Sequence, residues 1–387
     1  MKLGILASHP VQYQGPLFRA LARRLDLHVF FAHRQSRESQ ADAGFGIAFD
    51  WDVDLLEGYR SSFLDNIAAR AGTDHFFGCN TPGIRGEIES GSFDAFAVMG
   101  WHLYSYFQAI LACKREHVPI LIRGDSQLGT PRGAIKRAVK ALIYPVLLSQ
   151  FDRCLYVGKR NREYLEHYSV PDSCQFFSPH CVDNEFFASR AVLSDRADTR
   201  AWWGIQPHQQ AVLFVGKLIE VKRPLDMVRA LCRMRGASEP LVGVFVGDGP
   251  LRSDIEALGK ELDVPLVFLG FRNQTELPAI YAGADVLVLP STSETWGLVV
   301  NEALASGLPC VVADTCGCAP DLVKVGVTGS VFRMGDSEHM AQQLATVLAE
   351  MLRGSEALAA HINGYSVDAA ADGFIAAMQR TSIADLQ

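Results

Sequence analysis

Three features are missing from this sequence, and each absence excludes a class of protein. No hydrophobic run reaches the roughly 20 residues that a helix needs to cross a bilayer, so we expect no membrane-spanning segment. The apolar stretch at the start, MKLGILAS, ends after a few residues at His9 and Pro10, which favours a first β-strand over a signal peptide. Basic charge is not in excess: the formal net charge is −7, and a nucleic-acid partner would demand a large basic face.

Cysteines with the spacing of a metal site are also missing. The nine cysteines are scattered and odd in number, and Cys316 and Cys318 form the only close pair. Since none has the spacing of a zinc site, we interpret them as reduced thiols of a cytoplasmic protein. Asp, Glu and His residues form no convincing cluster for a metal ion in the sequence, so we predict no metal.

The remaining residues predict two α/β domains. A chain of 387 residues exceeds one ordinary hydrophobic core. Apolar strand-like runs alternate with helical stretches in the first half, and the alternation restarts at AVLFVGKL, residues 211–218. Fully apolar strands of this kind are typical of parallel sheets covered by helices on both faces. We predict two doubly wound, Rossmann-like domains that face each other across a cleft, with the loops at the carboxyl ends of the strands directed into it.

The domain boundary is predicted between residues 178 and 210, where the order is less regular and polar residues are more frequent. We assign residues 1–190 to a first domain and residues 205–365 to a second. Residues 366–387 are expected to form a helical tail, and a return of this tail to the first domain is left open. Residues 41–90 are less periodic and either line the cleft or form a surface lobe.

The second domain carries polar groups in three loops that follow predicted strands. The first loop, GKLIEVKRP, holds Lys217, Lys222 and Arg223. Two or three cations at a strand end could bind a diphosphate, and the alternative is a solvated basic turn.

The second loop is a glycine-rich turn, Gly247-Asp-Gly249-Pro. Its glycines would let the backbone approach a ligand or would simply allow a tight turn. The turn matches half of the G-x-G-x-x-G dinucleotide fingerprint, but Arg252 stands where the third glycine should be. It is therefore a weak indication of an NAD site.

The third loop, TSETWGLVVNE, contains two carboxylates eight positions apart. Small and polar residues break the chain up to Gly297, and a helix is predicted to begin near Leu298 and to stop at Gly307. Glu294 then lies in a strand-to-helix loop and Glu302 in the second turn of the helix, so both could face a ligand lying across the helix start. The alternative is a pair of surface residues in salt bridges.

The three loops belong to a longer series of motifs. In order, the chain reads GKLIEVK, GDGP, FLG, then Glu294 and Glu302 with seven residues between them, EALASGLPCVV and DTCGCAPDLV. This series resembles the retaining GT-B glycosyltransferases usually called family 4, the group 1 glycosyl transferases with an E-x7-E motif. The resemblance is dense over residues 211–336 and looser in CLYVGKRNREYLEHYSV and SPHCVDNEFF. Two residues depart from the family pattern: Lys217 stands where Arg is usual, and Asp321 stands where Glu is usual.

The resemblance implies a donor site for a nucleotide-diphospho-sugar. Glu302 is expected to accept hydrogen bonds from the ribose hydroxyls, and Glu294 to contact the transferred sugar. Lys217 and Lys222 are expected to stabilise the negative charge that develops on the leaving diphosphate. The further donor-binding residues implied are Gly15, Gly216, Arg223, Gly247, Phe271, Arg272, Thr295, Trp296, Gly297 and Leu298.

The first domain is expected to supply the acceptor side. Gly15 precedes Pro16, which suits a first helical position, and could let the donor phosphate approach. His102 is assigned a catalytic contact with the transferred sugar or the acceptor; the alternative is a histidine satisfied by local backbone. The acceptor-side candidates, which follow predicted strands, are His9, Gln12, Trp101, Arg123 and Asp125.

Residues 132–148 mix cations with an apolar face. We expect an internal helix of the first domain with a solvated basic side. The alternative is peripheral contact with the inner face of the membrane, near a lipid-linked acceptor.

The resemblance thus implies a cytoplasmic, metal-independent retaining glycosyltransferase without a cofactor. It would move a hexose or related sugar from a UDP-sugar or GDP-sugar to a glycan, lipid-linked or small-molecule acceptor, in cell-surface polysaccharide biosynthesis. A nucleotide-sugar epimerase of GT-B fold, which would consume donor without an acceptor, is one alternative. The other is a catalytically idle nucleotide-sugar-binding module, toward which Lys217 is the one hint.

Overall fold

The computed structural model describes residues 1–35, 51–129, 133–236, 239–350 and 352–381. They divide into two compact units, each with its own parallel sheet. Unit 1 contains the described residues of 1–35, 54–181 and 367–381, and unit 2 contains those of 51–53 and 182–366.

Unit 1 is built on a seven-stranded sheet whose paired strands are all parallel. Its strands are β1 (Lys2–Ala7), β2 (Asp26–Phe31), β3 (Arg60–Phe63), β4 (Ala95–Val98), β5 (Ile120–Gly124), β6 (Arg153–Tyr156) and β7 (Gln175–Phe177). Its first five helices are α1 (Gln14–Ala22), α2 (Ile84–Gly91), α3 (Tyr104–Glu116), α4 (Ala134–Leu148) and α5 (Lys159–His167). The sheet order β3-β2-β1-β4-β5-β6-β7 reverses direction between β1 and β4, and such a reversal opens a crevice for ligands at the carboxyl ends of the strands.

Both faces of this sheet are covered, which explains why its central strands β1, β4 and β5 are largely apolar. Successive residues of a strand point to opposite faces, and Phe30 and Phe31 of β2 belong to two different core clusters. Phe30 packs in the cluster that contains Tyr106 of α3. Phe31 packs with Phe18 of α1 and with Phe374 from the end of the chain.

Unit 2 repeats the design with six parallel strands in the order β10-β9-β8-β11-β12-β13. The strands are β8 (Gln210–Val215), β9 (Leu241–Val246), β10 (Leu266–Gly270), β11 (Val286–Leu289), β12 (Cys310–Ala313) and β13 (Gly329–Phe332). The helices are α6 (Asn184–Leu193), α7 (Arg196–Trp202), α8 (Pro224–Arg233), α9 (Arg252–Glu261), α10 (Leu277–Gly283), α11 (Leu298–Ala305), α12 (Ala319–Leu322), α13 (Ser337–Ala349) and α14 (Glu356–Asn363). The order reverses between β8 and β11, so the loops after these two strands lie side by side.

The last helix, α15 (Val367–Thr381), packs on unit 1. Ala370 and Phe374 are fully buried, and the hydroxyl of Ser178 donates to the carbonyl of Ala370 at 2.9 Å. A side chain at Gly373 would collide with the carbonyl of Phe177, so glycine there allows the helix to lie close to β7.

The units divide after Cys181, within the predicted boundary region but before residue 190. Helix α6, which the sequence analysis assigned partly to the first domain, belongs to unit 2 because Phe187 is buried there with its ring 6.2 Å from that of Tyr281. Of the less periodic residues 41–90, those from 41 to 50 lie outside the described residues. Asp52 belongs to unit 2 and accepts a hydrogen bond from the backbone N–H of Thr275 at 3.0 Å.

Two searches over the described part of the chain gave no result. None of its helices is long and apolar enough to cross a membrane. Within the same residues, no group of three or more His, Cys, Asp or Glu side chains is placed to hold a metal ion. The nine cysteines all lie within the described residues, and none of them forms a disulfide.

Candidate functional site

The three polar loops of unit 2 are joined by backbone hydrogen bonds at the carboxyl end of β8. The N–H of Leu218 donates to the carbonyl of Asp248 at 2.9 Å, and the N–H of Leu251 donates back to Leu218 at 3.0 Å. The third loop is held by the N–H of Thr292, which donates to Val221 at 2.9 Å. The loops that were predicted separately therefore form one surface.

The glycines of the second loop allow this close approach. Gly247 has φ +117°, and a side chain there would collide with the carbonyl of Gly216 in the first loop. At Gly249, with φ +158°, an added Cβ would lie 2.5 Å from the carbonyl oxygen of Leu218. Only glycine tolerates both the backbone angle and the contact. The structure thus shows the turn packed tightly against the first loop, and the approach of its backbone to a ligand stays a prediction.

An ion pair joins the first and third loops. Lys222 Nζ donates to Glu294 Oε2, and the hydroxyl of Ser291 lies 3.5 Å from the same oxygen. The two charged side chains retain 23 and 19% of their exposure, so the pair lies at the surface of the site. Glu294 is not a solitary loop carboxylate, and its counter-ion is one of the two lysines predicted to act on the diphosphate.

Lys217 lies near this pair. Burial lowers the pKa of Lys217, and the neighbouring charge of Lys222 lowers it further. Two ammonium groups that repel one another are stabilised by an anion placed beside both. An anionic ligand beside the two lysines would complement their like charges.

Helix α11 begins beside the ion pair, at the residue predicted from the sequence. Gly297 precedes it with φ +110° and offers no side chain to cap the first N–H groups. An added Cβ at Gly297 would lie 2.8 Å from Leu289 and 3.4 Å from Cγ of Glu294. Trp296 is buried, and its indole N–H donates to the buried Asn301 at 2.7 Å. Thr295 is exposed and Leu298 is half-buried.

A fourth segment, which the site prediction did not include, positions the third loop. The N–H of Gly317 donates to the carbonyl of Glu294 at 2.9 Å, and the N–H of Cys318 donates to Trp296 at 3.0 Å. A Cβ at Gly317 would collide with the carbonyl of Thr295. The motif DTCGCAPDLV contained this signal, since its glycine marks the close approach.

Glu302 lies in a different electrostatic environment from Glu294. Its Oε2 accepts a hydrogen bond of 2.7 Å from the hydroxyl of Tyr281, a fully buried residue. Burial raises the pKa of Glu302 to about 7, although the bond from Tyr281 opposes the shift. The Tyr281 partner was missed by the sequence analysis, because residues 281 and 302 are brought together by the packing of α10 near α11.

Two arginines predicted to bind the donor have partners within unit 2. Arg223 Nε donates to Asp226 at 2.5 Å. Arg272 Nε donates to the carbonyl of Leu269 at 2.9 Å, and its Nη1 donates to Glu276 at 3.0 Å. These contacts hold the ends of the first loop and of β10. Phe271, beside Arg272, is half-buried.

Unit 1 contains a cavity of about 270 Å³ at the carboxyl ends of its strands. Four predicted residues line it, and Tyr13 and His180 are among the lining residues that were not predicted. The signal for His180 was present in SPHCVDNEFF, which was recognised only as a family segment. The complete lining is Ser8, Tyr13, Gln14, Met99, Gly100, Trp101, His102, Arg123, Gly124, Asp125, Ser126 and His180.

Asp125 is the acidic group of this cavity. His180 Nε2 lies 3.8 Å from Asp125 Oδ2, and the ring of Tyr13 meets that of His180 edge-on at 5.9 Å. Burial lowers the pKa of His180 and of His102, while Asp125 opposes both shifts. Both imidazoles therefore favour the neutral form, which can accept or donate a hydrogen bond to a sugar hydroxyl.

Arg123 donates hydrogen bonds to the protein although it lines the cavity. Its buried guanidinium donates to the hydroxyl of Ser178 at 3.2 Å and to the carbonyl of Pro179 at 2.7 Å. It thereby positions the segment that carries His180. Trp101 stacks at 6.4 Å and 10° on Tyr164.

The remaining predicted residues of unit 1, which are His9, Gln12 and Gly15, are not among the residues that line the cavity. Burial lowers the pKa of His9 to about 4, with smaller contributions from His33 and His102. Gln12 is half-buried, and Gly15 is buried in the first turn of α1.

Comparison with known proteins identifies the fold, and a family model matches most of unit 2. A crystal structure of a glycosyltransferase from Rickettsia africae ESF-5 matches with a TM-score of 0.74, over 98% of both chains, at 13% sequence identity. The fold is that of the GT-B glycosyltransferases. Residues 195–365 match the family model for glycosyl transferases group 1. The Anabaena protein Alr3699/HepE, solved in complex with UDP, shares this fold at a TM-score of 0.72 and 16% identity, over 98% of this chain and 100% of that one.

Sequence similarity to curated proteins extends over part of the chain. Sulfoquinovosyl transferase SQD2 of Arabidopsis thaliana is 40% identical over 170 residues, which are 43% of this chain and 32% of that protein. The chain spans about half or less of the length of the curated relatives that it matches.

Proposed function

We propose that the protein is a retaining glycosyltransferase that transfers a hexose or related sugar from a nucleotide-diphospho-sugar. The observation that carries this proposal is the Lys222–Glu294 ion pair, with Lys217 beside it and the uncapped start of α11 next to it. An extended ligand with an anionic diphosphate and a hydroxyl-bearing sugar matches both kinds of group. The family match over residues 195–365 supports the same assignment.

The donor diphosphate would lie against Lys217, Lys222 and the first N–H groups of α11. An ammonium group has three N–H donors, so Lys222 can hold Glu294 and still donate to a phosphate oxygen. The helix start adds backbone donors and the favourable end of the helix dipole. Glu294 is left to accept hydrogen bonds from hydroxyls of the transferred sugar, and Glu302 is assigned to the ribose.

In the reaction, the bond between the anomeric carbon and the phosphate oxygen breaks, and its electron pair stays on the nucleoside diphosphate. The acceptor hydroxyl forms the new bond from the same face, so the anomeric configuration is retained. Its proton passes to the leaving phosphate oxygen. The two lysines stabilise the charge that develops on that oxygen, an effect typically worth about 3 to 4 kcal/mol. Because these cations supply the charge, the proposed mechanism is metal-independent and uses no cofactor.

We assign the cavity of unit 1 to the acceptor, with His102 as the residue that contacts the acceptor or the transferred sugar. UDP-sugars and GDP-sugars are both candidate donors, and the likeness to a protein solved with UDP supports the former. The acceptor classes are a glycan, a lipid-linked saccharide or a small molecule. Free, mostly buried thiols fit the reducing cytoplasm, where we place the reaction as part of cell-surface polysaccharide synthesis.

The test is a panel of UDP- and GDP-sugars, with nucleoside diphosphate release and the shift in Tm both recorded. One donor should stabilise the wild-type protein and release nucleoside diphosphate when acceptor is added. Glu294→Gln and Lys222→Met should lose release, while Glu261→Gln, a change at an exposed position of α9, should not.

Each other outcome supports a different function. Consumption of donor with no acceptor, at an undiminished rate, would favour the epimerase. Stabilisation by donor without any release would favour an idle binding module. Neither signal with any donor would overturn the proposal.

A further inference from the structure

The cavity of unit 1 contains a buried amide that the proposed mechanism does not use. Gln14, the first residue of α1, is one of the lining residues. Its amide oxygen, Oε1, is buried, and among the described residues no donor forms a hydrogen bond with it. Buried polar atoms of folded proteins are nearly always paired, because an unpaired acceptor has lost its bonds to water. An unpaired oxygen in the wall of a cavity therefore indicates a hydrogen-bond donor on a bound molecule.

The nitrogen of the same amide faces Tyr13. Burial raises the pKa of Tyr13, and a hydrogen bond from Gln14 opposes that shift. A hydrogen bond that lowers the pKa of a phenol is one that is donated to its oxygen, so the N–H of Gln14 is the donor in this contact. The ring of Tyr13 is in turn held edge-on against that of His180 at 5.9 Å. This arrangement leaves Oε1 as the group that Gln14 offers to a ligand.

Asp125 supplies further acceptor oxygens to the same cavity. Its side chain retains 45% of its exposure, although His180 Nε2 lies 3.8 Å from Oδ2. An ionised carboxylate accepts hydrogen bonds and donates none. Gln14 and Asp125 together therefore match a molecule that brings several hydrogen-bond donors of its own.

The charges around the cavity disfavour an anionic occupant. Among the described residues that line it, Arg123 is the one cation and Asp125 the one anion. Burial lowers the pKa of His102 and of His180, so both favour the neutral form. A phosphate monoester carries a charge of about −1.5 to −2 at pH 7 and offers acceptor oxygens. Such a group would be repelled by Asp125 and would leave Gln14 Oε1 unpaired.

The size and the wall of the cavity suit a single sugar ring. Its volume of about 270 Å³ is below the roughly 300 to 1,000 Å³ of sites for drug-sized ligands. Trp101 lines it and is backed by Tyr164, on which it stacks at 6.4 Å and 10°. A sugar ring carries hydroxyl donors around its rim and apolar C–H groups on its faces, so it can use both the acceptor oxygens and the indole surface.

We propose that Gln14 and Asp125 select an uncharged sugar unit for the cavity of unit 1, with their oxygens accepting hydrogen bonds from its hydroxyls. That this unit is the acceptor of the transfer rests on the proposed function. Gln14 is then a specificity-determining residue, because a buried oxygen built to pair with a hydroxyl rejects an analogue that cannot donate to it. The acceptor can be a glycan end, a lipid-linked saccharide or a small molecule, provided that the unit in the cavity carries no phosphate or carboxylate.

The test is ¹⁹F NMR of the full chain labelled with 5-fluorotryptophan. The chain has five tryptophans. Trp101 reports on the cavity and Trp296, which precedes α11, on the proposed donor site; the variants Trp101→Phe and Trp296→Phe assign the two resonances. Glucose, galactose, mannose and N-acetylglucosamine are titrated, each against its own 6-phosphate. At least one uncharged sugar should shift the Trp101 resonance, and its 6-phosphate should bind about tenfold or more weakly.

Two leucine substitutions separate recognition from stability. Gln14→Leu should raise the Kd of the uncharged sugar about tenfold, because the acceptor oxygen is lost. Gln175→Leu is the matched control: Gln175 of β7 also has a buried Oε1 without a partner among the described residues, and its Nε2 donates to Val170 at 2.9 Å. Since Gln175 does not line the cavity, the control should change the Kd by less than about twofold.

Asp125→Asn tests the charge selection. This substitution keeps the shape of the side chain and removes its negative charge. The ratio between the Kd of the 6-phosphate and that of its parent sugar should therefore fall about fivefold, because the phosphate is no longer repelled.

Four results would overturn this assignment. The 6-phosphate could bind as tightly as its parent sugar, or Gln14→Leu and Gln175→Leu could weaken sugar binding equally. The ratio of Kd values could stay unchanged in Asp125→Asn, or no sugar of the panel could shift the Trp101 resonance.

The Trp296 resonance separates this inference from the proposed function. A shift of Trp296 with a UDP- or GDP-sugar, without any response of Trp101 to the sugars, rejects the selection by Gln14 and Asp125 and supports the donor site. A response of Trp101 to an uncharged sugar, without a response of Trp296 to any donor, rejects the transferase and supports the sugar site.

Discussion

Lys222 and Glu294 are 72 positions apart in the chain, yet the ammonium group of one donates to the carboxylate of the other. The contact joins the loop after β8 to the loop after β11, at the point where the order of strands in unit 2 reverses. One residue of the pair suits a phosphate and the other suits a sugar hydroxyl. Under the proposed function, the diphosphate and the sugar of the donor would meet at this pair.

Replacement of Lys222 by Met should lower kcat by about a hundredfold or more, because a preorganised charge on the leaving group is lost. Lys222→Arg should keep much of the activity, since it keeps the charge. Lys260→Met, at an exposed position of α9, is the control and should leave kcat unchanged. Steady-state release of nucleoside diphosphate is the measurement. Equal kcat in Lys222→Met and Lys260→Met would remove Lys222 from the mechanism.

The raised pKa of Glu302 predicts a pH dependence of stability. The folded protein retains a proton on Glu302 up to a pKa of about 7, whereas the unfolded chain releases it near 4.5. The stabilisation is therefore complete below pH 4.5 and is lost as the pH rises toward 7, by up to about 3 kcal/mol. Glu302→Gln should remove this loss, as measured by urea unfolding at pH 5 and pH 8.

Tyr281→Phe provides a check on the cause of that dependence. The hydrogen bond from Tyr281 lowers the pKa of Glu302. Its removal should therefore shift the pH range over which stability is lost to higher pH. A range that stays in place, or an identical pH dependence in wild type and Glu302→Gln, would show that another group is responsible.

Gly247→Ala should destabilise unit 2 more than Gly270→Ala. Both glycines have positive φ, but a Cβ at Gly247 would collide with Gly216, whereas one at Gly270 would meet nothing within 4 Å. The left-handed conformation alone costs about 1 to 2 kcal/mol, and the collision adds to it only at Gly247. Urea unfolding and donor-induced stabilisation should both be impaired in Gly247→Ala. Equal effects of the two substitutions would mean that the loops are not packed as described.

Arg123→Met should affect the acceptor rather than the donor. It removes the hydrogen bonds that hold Ser178 and Pro179, at a cost of about 2 to 4 kcal/mol, since hydrogen bonds to charged groups are among the stronger ones. His180 then loses its position in the cavity, so KM for the acceptor should rise while the donor-dependent shift in Tm stays as in the wild type. Arg115→Met, at an exposed position, is the control. A loss of donor stabilisation would contradict the acceptor assignment.

The prediction from sequence succeeded where the information is local. Runs of apolar residues between helices identified both parallel sheets, and Gly297 identified the start of α11. Contacts between side chains far apart in the sequence were harder to predict than helices and strands. Tyr281 reaches Glu302, and Tyr13 reaches His180, because of the way separate elements pack, and no spacing along the chain encodes such a contact.

Helix α4 shows the same difference between what the local sequence determines and what tertiary packing decides. The sequence by itself determined that this segment is an amphipathic helix and that basic residues accompany it, because helix period and composition depend on neighbours in the chain. Only the tertiary structure decided which side meets the core. Tyr144 and Leu148 pack inward. The expectation of a solvated basic side was wrong in part, because five large apolar side chains remain exposed: Ile135, Val139, Leu142, Ile143 and Val146. The physical reason is that burial is a property of the packed sheet and its crossover helices, whose order a local pattern does not contain.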